Sequence, residues 1–292
     1  MDIGYKFFVG LAISAVATAT GVVSAAAAND PPKWSMPVQP FRIAGGVYYV
    51  GTRGLAAYLI VSKQGAILLD GTTAENAALI ERNIQTVGVP LRSVKLLISD
   101  HAHHDHVGAL AQIQRDTGAR FLASAGDAWA LMHGQTRGDT NYKPRRFPPI
   151  RVDQTVRDGE TIRLGEVTLT THLTPGHTPG CTSWSTTVQE GGKPLNVLFL
   201  CSITVAGNIL VGNHAYPEIV SDYRKTFDKL AAMKTDILLT SHPEMAQVLE
   251  REARREGGTP DAFVDPSALP SRVAKSRHAF EASLAAAQAT VR

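Results

Sequence analysis

The chain has 292 residues, 44% of them hydrophobic and 19% charged, with a formal net charge of +3. That usage suits one large globular domain or two small ones. The weak charge, with no Lys/Arg run carrying interleaved aromatics, leaves no footprint for nucleic acid. In chain order, the first element reads as a leader. Lys6 precedes the apolar run Phe7 to Val23, and Ser24-Ala25-Ala26-Ala27-Ala28 supplies small residues for cleavage. This is the three-part layout of a secretory signal peptide. Thr18, Thr20 and Gly21 interrupt the run, which is short against the roughly 20 residues of a membrane span. The expectation is a signal peptide at 1–28, export to the periplasm without a lasting membrane span, and a single domain at 29–292.

Pro31, Pro32, Pro37 and Pro40 mark an extended segment, and strand-like runs follow at 41–50, 55–61 and 66–69. Thr72-Thr73-Ala74-Glu75 is a capping-box pattern. It opens a helix with Ala77, Ile80, Ile84 and Val87 at helical spacing. The continuous apolar run Val94–Ile98 reads as a buried strand. A helix with Val107, Leu110 and Ile113 inward stops at Gly118, a short strand occupies 121–123, and a short helix 125–132. Residues 134–152 are rich in Gly, Pro and Arg without a period and read as a long loop. The pattern then restarts. Strands are expected at 161–164 and 167–172, then a hairpin of 182–188 and 195–200 turning at Gly191-Gly192. Ser221 can cap a helix with Tyr223, Phe227, Leu230 and Met233 inward, Ile237–Leu239 is a buried strand, and a last helix spans 271–290. Strands, helix, strand and terminal histidine thus occur twice. Two such halves pack sheet on sheet with helices outside, which gives an α/β fold, a four-layer αβ/βα sandwich with the site at the edge between the sheets.

Residues 101–106 read His-Ala-His-His-Asp-His, just past the strand 94–98. Imidazole nitrogen and carboxylate oxygen are the ligands of catalytic zinc. On a helix His101 and His103 would point about 200° apart, so they converge only in a loop. Asp105 and His106 open the following helix. A site for two metals, about 3.5–4 Å apart, uses this many donors better than one tetrahedral ion. Further donors should come from other strand ends: His177 in the turn Thr174-Pro175-Gly176-His177-Thr178-Pro179-Gly180, and His242 after the strand 237–239. Cys181 and Cys201 are the two cysteines. Export permits a disulfide between them, and the sequence does not demand one.

His-x-His-x-Asp-His, then Pro-Gly-His-Thr-Pro-Gly, then a strand-end His resembles the signature order of the metallo-β-lactamase superfamily, over residues 34 to about 250. Within it the chain is similar to subclass B3, through Trp34…Pro37…Pro40-Phe41-Arg42-Ile43, Val47-Tyr48-Tyr49-Val50-Gly51, Thr182-Ser183-Trp184 and Gly212-Asn213. The resemblance implies two zinc ions per chain: His101, His103 and His177 on the first, and Asp105, His106 and His242 on the second, with His104 outside the set. It implies that Asp105 also orients a water whose pKa zinc lowers to about 7. Ser202 and Thr204 would bind a substrate carboxylate, and Asp70 would brace the His loop. The strand before Cys201-Ser202-Ile203-Thr204 is not followed by the bridging Asp of the superfamily's thioesterases and lactonases. Cys201 competes with Ser202 for the position where other subclasses place a Cys ligand. Strand alternation turns Cys201 to the opposite face from Ser202. The implied activity is zinc-dependent hydrolysis of β-lactam antibiotics by a monomer, conferring resistance. The alternatives are a lactone or thioester hydrolase of the same fold, and a non-catalytic periplasmic zinc-binding protein.

Overall fold

Alternate residues of the central strands enter two different cores, and that division builds the architecture. The computed structural model describes residues 1–2 and 30–290. The leader expected at 1–28 lies, apart from its first two residues, outside the described residues. By internal contacts Met1–Asp30 separates from Pro31–Arg292, and the second unit carries the fold.

The first sheet begins with β1 (Phe41–Ala44), β2 (Val47–Tyr49), β3 (Tyr58–Ser62) and β4 (Gly65–Leu69), an antiparallel meander. The run expected as one strand at 41–50 is two strands, because Gly45 turns the chain at φ +51°. A short 3-10 turn, Ala74–Asn76, leads into α1 (Ala77–Thr86). The capping box does not form there: Thr73 makes no cap bond, and its hydroxyl accepts from Asn76 Nδ2 at 2.9 Å. β5 (Val94–Ile98) pairs parallel with β4. α2 (His104–Val107) and α3 (Leu110–Thr117) follow, and Gly118 ends α3 in the left-handed conformation. β6 (Arg120–Ser124), α4 (Ala125–His133) and β7 (Gln154–Val156) complete the half. The sequence reading missed β7, which has one buried residue. Residues 134–152 form the expected long connection without helix or strand.

The second sheet holds β8 (Thr161–Leu164), β9 (Val167–Leu173), β10 (Thr182–Glu190) and β11 (Lys193–Leu200), antiparallel in sequence order. β10 and β11 turn at Gly191-Gly192, both at positive φ, as a two-residue hairpin requires. α5 (Ile219–Ala231) starts two residues before Ser221, with Glu218 at its cap. β12 (Ile237–Thr240) pairs parallel with β11. α6 (Val248–Glu256), absent from the sequence reading, and α7 (Ala268–Thr290) close the chain.

Among the described residues the first sheet thus has seven strands and the second five. Tyr58, Ile60, Ile67, Leu69, Leu96 and Ile98 face the core shared with Trp184, Val197 and Phe199 of the second sheet. Leu59, Ala66, Leu68, Val94 and Leu97 face Ile80, Ile84, Leu110 and Ile113 of the helices instead. A bulge between Ala66 and Ile67 in the β4–β5 register absorbs Lys95. On the far side Tyr223 and Phe227 of α5 pack against Phe280 of α7. Helices, sheet, sheet, helices is the expected four-layer sandwich. No helix among the described residues is long and apolar enough to cross a membrane.

The two sheets are stitched together where β5 and β12 end and β10 begins. Trp184, fully buried, donates its indole N–H to Ser99 O at 3.0 Å. Thr182 N–H donates to Asp100 O at 2.8 Å, and Tyr58 Oη–H to Thr240 O at 2.7 Å. Carboxyl ends of strands are where α/β sheets place their ligands.

Candidate metal centre

Four segments bring donors to this edge: the β5–α2 loop, the β9–β10 turn, the segment after β11 and the residues after β12. His101, His103 and His177 are buried. His103 Nδ1 lies 3.0 Å from His101 Nε2 and 3.1 Å from His177 Nε2. A shared proton can serve one of these nitrogen pairs but not both, whereas a cation among them serves all three. The outward nitrogens fix the rings. His177 Nδ1–H donates to Thr204 O at 2.8 Å, and His101 Nδ1 lies 2.8 Å from Asp100 Oδ1. Such partners leave the inner nitrogens as lone pairs. Burial, reinforced by the neighbouring imidazoles, holds His103 well below the ordinary histidine pKa and His177 down to about 3. Both are neutral, the form a metal needs.

Beside this triad Asp105 Oδ2 lies 3.3 Å from His106 Nε2 and 3.4 Å from His242 Nε2. Burial opposes a charge on Asp105, but His106 and the hydrogen bonds from His106 and His242 hold it well below the carboxylate range. Burial likewise opposes a charge on His106, yet Asp105, Asp100 and Asp70 lift it to about 10. A divalent cation held by these three side chains would supply the positive charge that this proton brings. Each triad has its donor atoms within 4.8 Å of one another, and both fit zinc by ligand type.

The other expected residues also have places. Asp70 sits at φ +62°, fully buried, and its Oδ1 accepts Asp100 N–H at 2.9 Å. Its Oδ2 is 4.0 Å from His106 Nδ1. Burial and the Asp100 charge push its carboxyl well above the usual range. His104 belongs to neither donor group, and its Nδ1 lies 3.6 Å from Asp105 Oδ1. Ser202 Oγ and Thr204 Oγ1 are 3.0 Å apart. Cys201 joins Cys181 in a disulfide, with Cα atoms 5.9 Å apart. Cys201 therefore offers no thiolate to the second triad, and its sulfur stands 3.8 Å from His101 Nδ1.

Several contributors were missed in the sequence. Buried Asp127, near the start of α4, accepts Ala102 N–H at 2.9 Å, Thr178 Oγ1–H at 2.8 Å and Gly180 N–H at 2.9 Å. It clamps the loop of His101 and His103 to the turn of His177. Tyr223 Oη–H reinforces Thr204 O at 2.6 Å. Gly176, at φ +140°, packs on the Tyr223 ring, which a Cβ there would meet at 2.7 Å. The Trp34 ring centroid is 5.9 Å from both His104 and His242.

The metallo-beta-lactamase superfamily model matches residues 50–242. Among solved structures, BJP-1, a subclass B3 metallo-β-lactamase of Bradyrhizobium japonicum, shares 41% identity at a TM-score of 0.85, covering 89% of this chain and 99% of that one. MEM-A1, a subclass B3 metallo-β-lactamase from a soil metagenome library, shares 34% identity at a TM-score of 0.82, covering 88% of this chain and 99% of its own. Among curated proteins, hydroxyacylglutathione hydrolase of Cereibacter sphaeroides is 33% identical over 104 residues, 36% of this chain. The chain spans 31% of that protein's length. By the matched family model and these full-length structural relatives, the chain belongs to the metallo-β-lactamase superfamily and resembles subclass B3 within it.

Proposed function

We propose that the chain is a periplasmic hydrolase of β-lactam antibiotics that works with two zinc ions as a monomer, after removal of a signal peptide at 1–28, and confers resistance. His101, His103 and His177 hold the first ion, and Asp105, His106 and His242 the second. The observation that carries this reading is the pair of separate donor triads with Cys201-Ser202-Ile203-Thr204, free of carboxylate, after β11. The extent of the likeness to subclass B3 structures supports it.

Bound zinc supplies Lewis acidity and brings the pKa of water towards neutrality. The chain's residues do the rest. Asp105, with Oδ2 towards His106 and His242, orients the attacking water and holds its proton. Ser202 and Thr204 hydroxyls bind the substrate carboxylate. Asp70 steadies the strand end before His101 through Asp100 N–H. A strained lactam suits a site without a general acid poised on the nitrogen, because ring opening does not wait for amine protonation.

A second reading, thioester hydrolysis, is favoured by the partial match to hydroxyacylglutathione hydrolases. One comparison separates the two: turnover of a chromogenic cephalosporin against a glutathione thioester, with and without chelator, alongside zinc analysis. The expected result is cephalosporin turnover that a chelator abolishes and zinc restores, at close to two zinc per chain. Faster turnover of the thioester, or no lactam turnover by the protein with two zinc bound, overturns the proposal.

A further inference from the structure

The Cys181–Cys201 disulfide is fully buried against the back of His101. That ring turns Nε2 towards His103. Its Nδ1 points the other way, 2.8 Å from Asp100 Oδ1 and 3.8 Å from Cys201 Sγ. His101 and the two sulfurs offer ligand atoms within 4.8 Å of one another. Neither sulfur belongs to either triad of the candidate centre, and a disulfide sulfur lacks the thiolate charge that binds metals.

We propose that reduction of this disulfide opens a third cation site, made by Cys181 Sγ, Cys201 Sγ and His101 Nδ1 with the Asp100 carboxylate beside them, for a soft divalent cation such as zinc or cobalt(II). Two thiolates, an imidazole and a carboxylate form a ligand set of the kind such ions take. With metal–sulfur bonds of about 2.3 Å and metal–nitrogen bonds of about 2.0–2.1 Å, a tetrahedral ion sets nitrogen and sulfur roughly 3.6 Å apart. The Cys201 Sγ to His101 Nδ1 separation of 3.8 Å is already close to that. The sulfurs must part on reduction, and each has a carbonyl to receive its S–H: Asp100 O lies 3.1 Å from Cys201 Sγ, and Ser202 O 3.3 Å from Cys181 Sγ.

The chemistry balances with a dithiol as reductant. Two electrons and two protons pass to the bridge, the S–S bond breaks, two thiols form, and the reductant becomes a disulfide. Binding the cation then releases both thiol protons and the Nδ1 proton that His101 turns to Asp100, so the ring serves this site and the first triad as an imidazolate. The site draws on the nitrogen of His101 that the first triad does not use, so it stands or falls separately from the lactamase reading. A cation held there pulls on the same ring from behind, and the bridge keeps these two sulfurs from competing for metal.

The test compares three cobalt(II)-loaded preparations: oxidised protein, protein reduced in denaturant with a water-consuming trialkylphosphine and refolded, and His101→Ala reduced in the same way. Thiol titration should give none in the first and two per chain in the others. The reduced protein should bind one more cobalt per chain and gain a near-ultraviolet thiolate-to-cobalt charge-transfer band. The oxidised protein should lack that band, since cobalt in the two triads has nitrogen and oxygen ligands only. Reduced His101→Ala should bind this cobalt at least tenfold more weakly. Absence of the band from protein with two free thiols, or a band indifferent to His101→Ala, overturns the proposal. So does a reduced chain that fails to regain native near-ultraviolet circular dichroism with cobalt present, because the site needs its native setting.

Discussion

Removing the Asp127 carboxylate should damage stability and metal affinity together. Asp127 is 2% exposed and receives three donors: the N–H of Ala102 and Gly180 and the hydroxyl of Thr178. Hydrogen bonds to a charged acceptor contribute about 1.5–3 kcal/mol each. Part of that is offset, because burial is the largest influence on this carboxyl and raises its pKa in spite of the three bonds. The Thr178 hydroxyl can also turn to another partner, whereas the two backbone donors cannot. Breaking such a buried network by removing one partner costs about 3–5 kcal/mol. At roughly 2–4 °C per kcal/mol for a domain of this size, Asp127→Ala should melt about 6–20 °C lower. The displaced groups flank the proposed metal donors, since Ala102 lies between His101 and His103 and Thr178 follows His177. Loss of orienting partners typically weakens metal binding 10–100-fold. Asp127→Asn should resemble the alanine variant, because its amide N–H faces a backbone N–H at one of the two oxygen positions. Melting curves and cobalt titration check both variants. A melting point within about 2 °C of wild type, with cobalt affinity unchanged, would refute the clamp.

Three further outcomes follow from the geometry. His104→Ala should keep its zinc, unlike His103→Ala or His106→Ala, because His104 belongs to neither triad; equal zinc loss in all three by elemental analysis would undo the ligand assignment. Gly176→Ala should displace Tyr223, whose hydroxyl supports Thr204 O behind His177, and overpacking with an unfavourable φ should cost about 1–3 kcal/mol. The rescuing change is Tyr223→Leu in the same chain, and denaturant curves for the double variant no better than for Gly176→Ala would count against this packing account. Glu190 is held below the carboxylate range chiefly by its bonds with Arg42 and then by Gly45 N–H. A depressed folded pKa adds stability above the unfolded value, about 4.3, and that stability is lost as pH falls through the folded value. Glu190→Gln should therefore lag wild type by less than about 1 kcal/mol at neutral pH, and the gap should close in acid; a gap that widens below pH 4 contradicts the sign.

The legible parts of the sequence were those where a local pattern and its surroundings agree. Val94–Ile98 reads as a strand because both faces are buried, and its bounds match. His101, His103, Asp105 and His106 are adjacent in sequence and hard to explain as packing, while His177 and His242 were found through strand ends and glycine turns. What escaped depends on partners distant in the chain. Asp127 looks like an ordinary first-turn acid of a helix, and its donors lie 25 to 53 positions away. Ser124, three residues earlier, has an equally distant partner, its hydroxyl donating to Gly180 O. The Cys181–Cys201 bridge depends on hairpin register, with Trp184 opposite Phe199, which spacing alone does not supply. The Phe41–Val50 run shows that a strand-like stretch does not reveal a turn unless the glycines within it are given weight.

The strand order carries a consequence for how such a chain can be divided. Each sheet lists its strands in unbroken chain order, β1 to β7 in one and β8 to β12 in the other. A cut between Val156 and Thr161 would leave each fragment with a whole sheet, its own short-range pairings intact. The donors, however, divide four and two: His101, His103, Asp105 and His106 go with the first fragment, His177 and His242 with the second. Neither fragment holds a complete triad. On the proposed ligand assignment, tight metal capture needs the joined halves, and a split version of this chain would sense its own reunion through the metal.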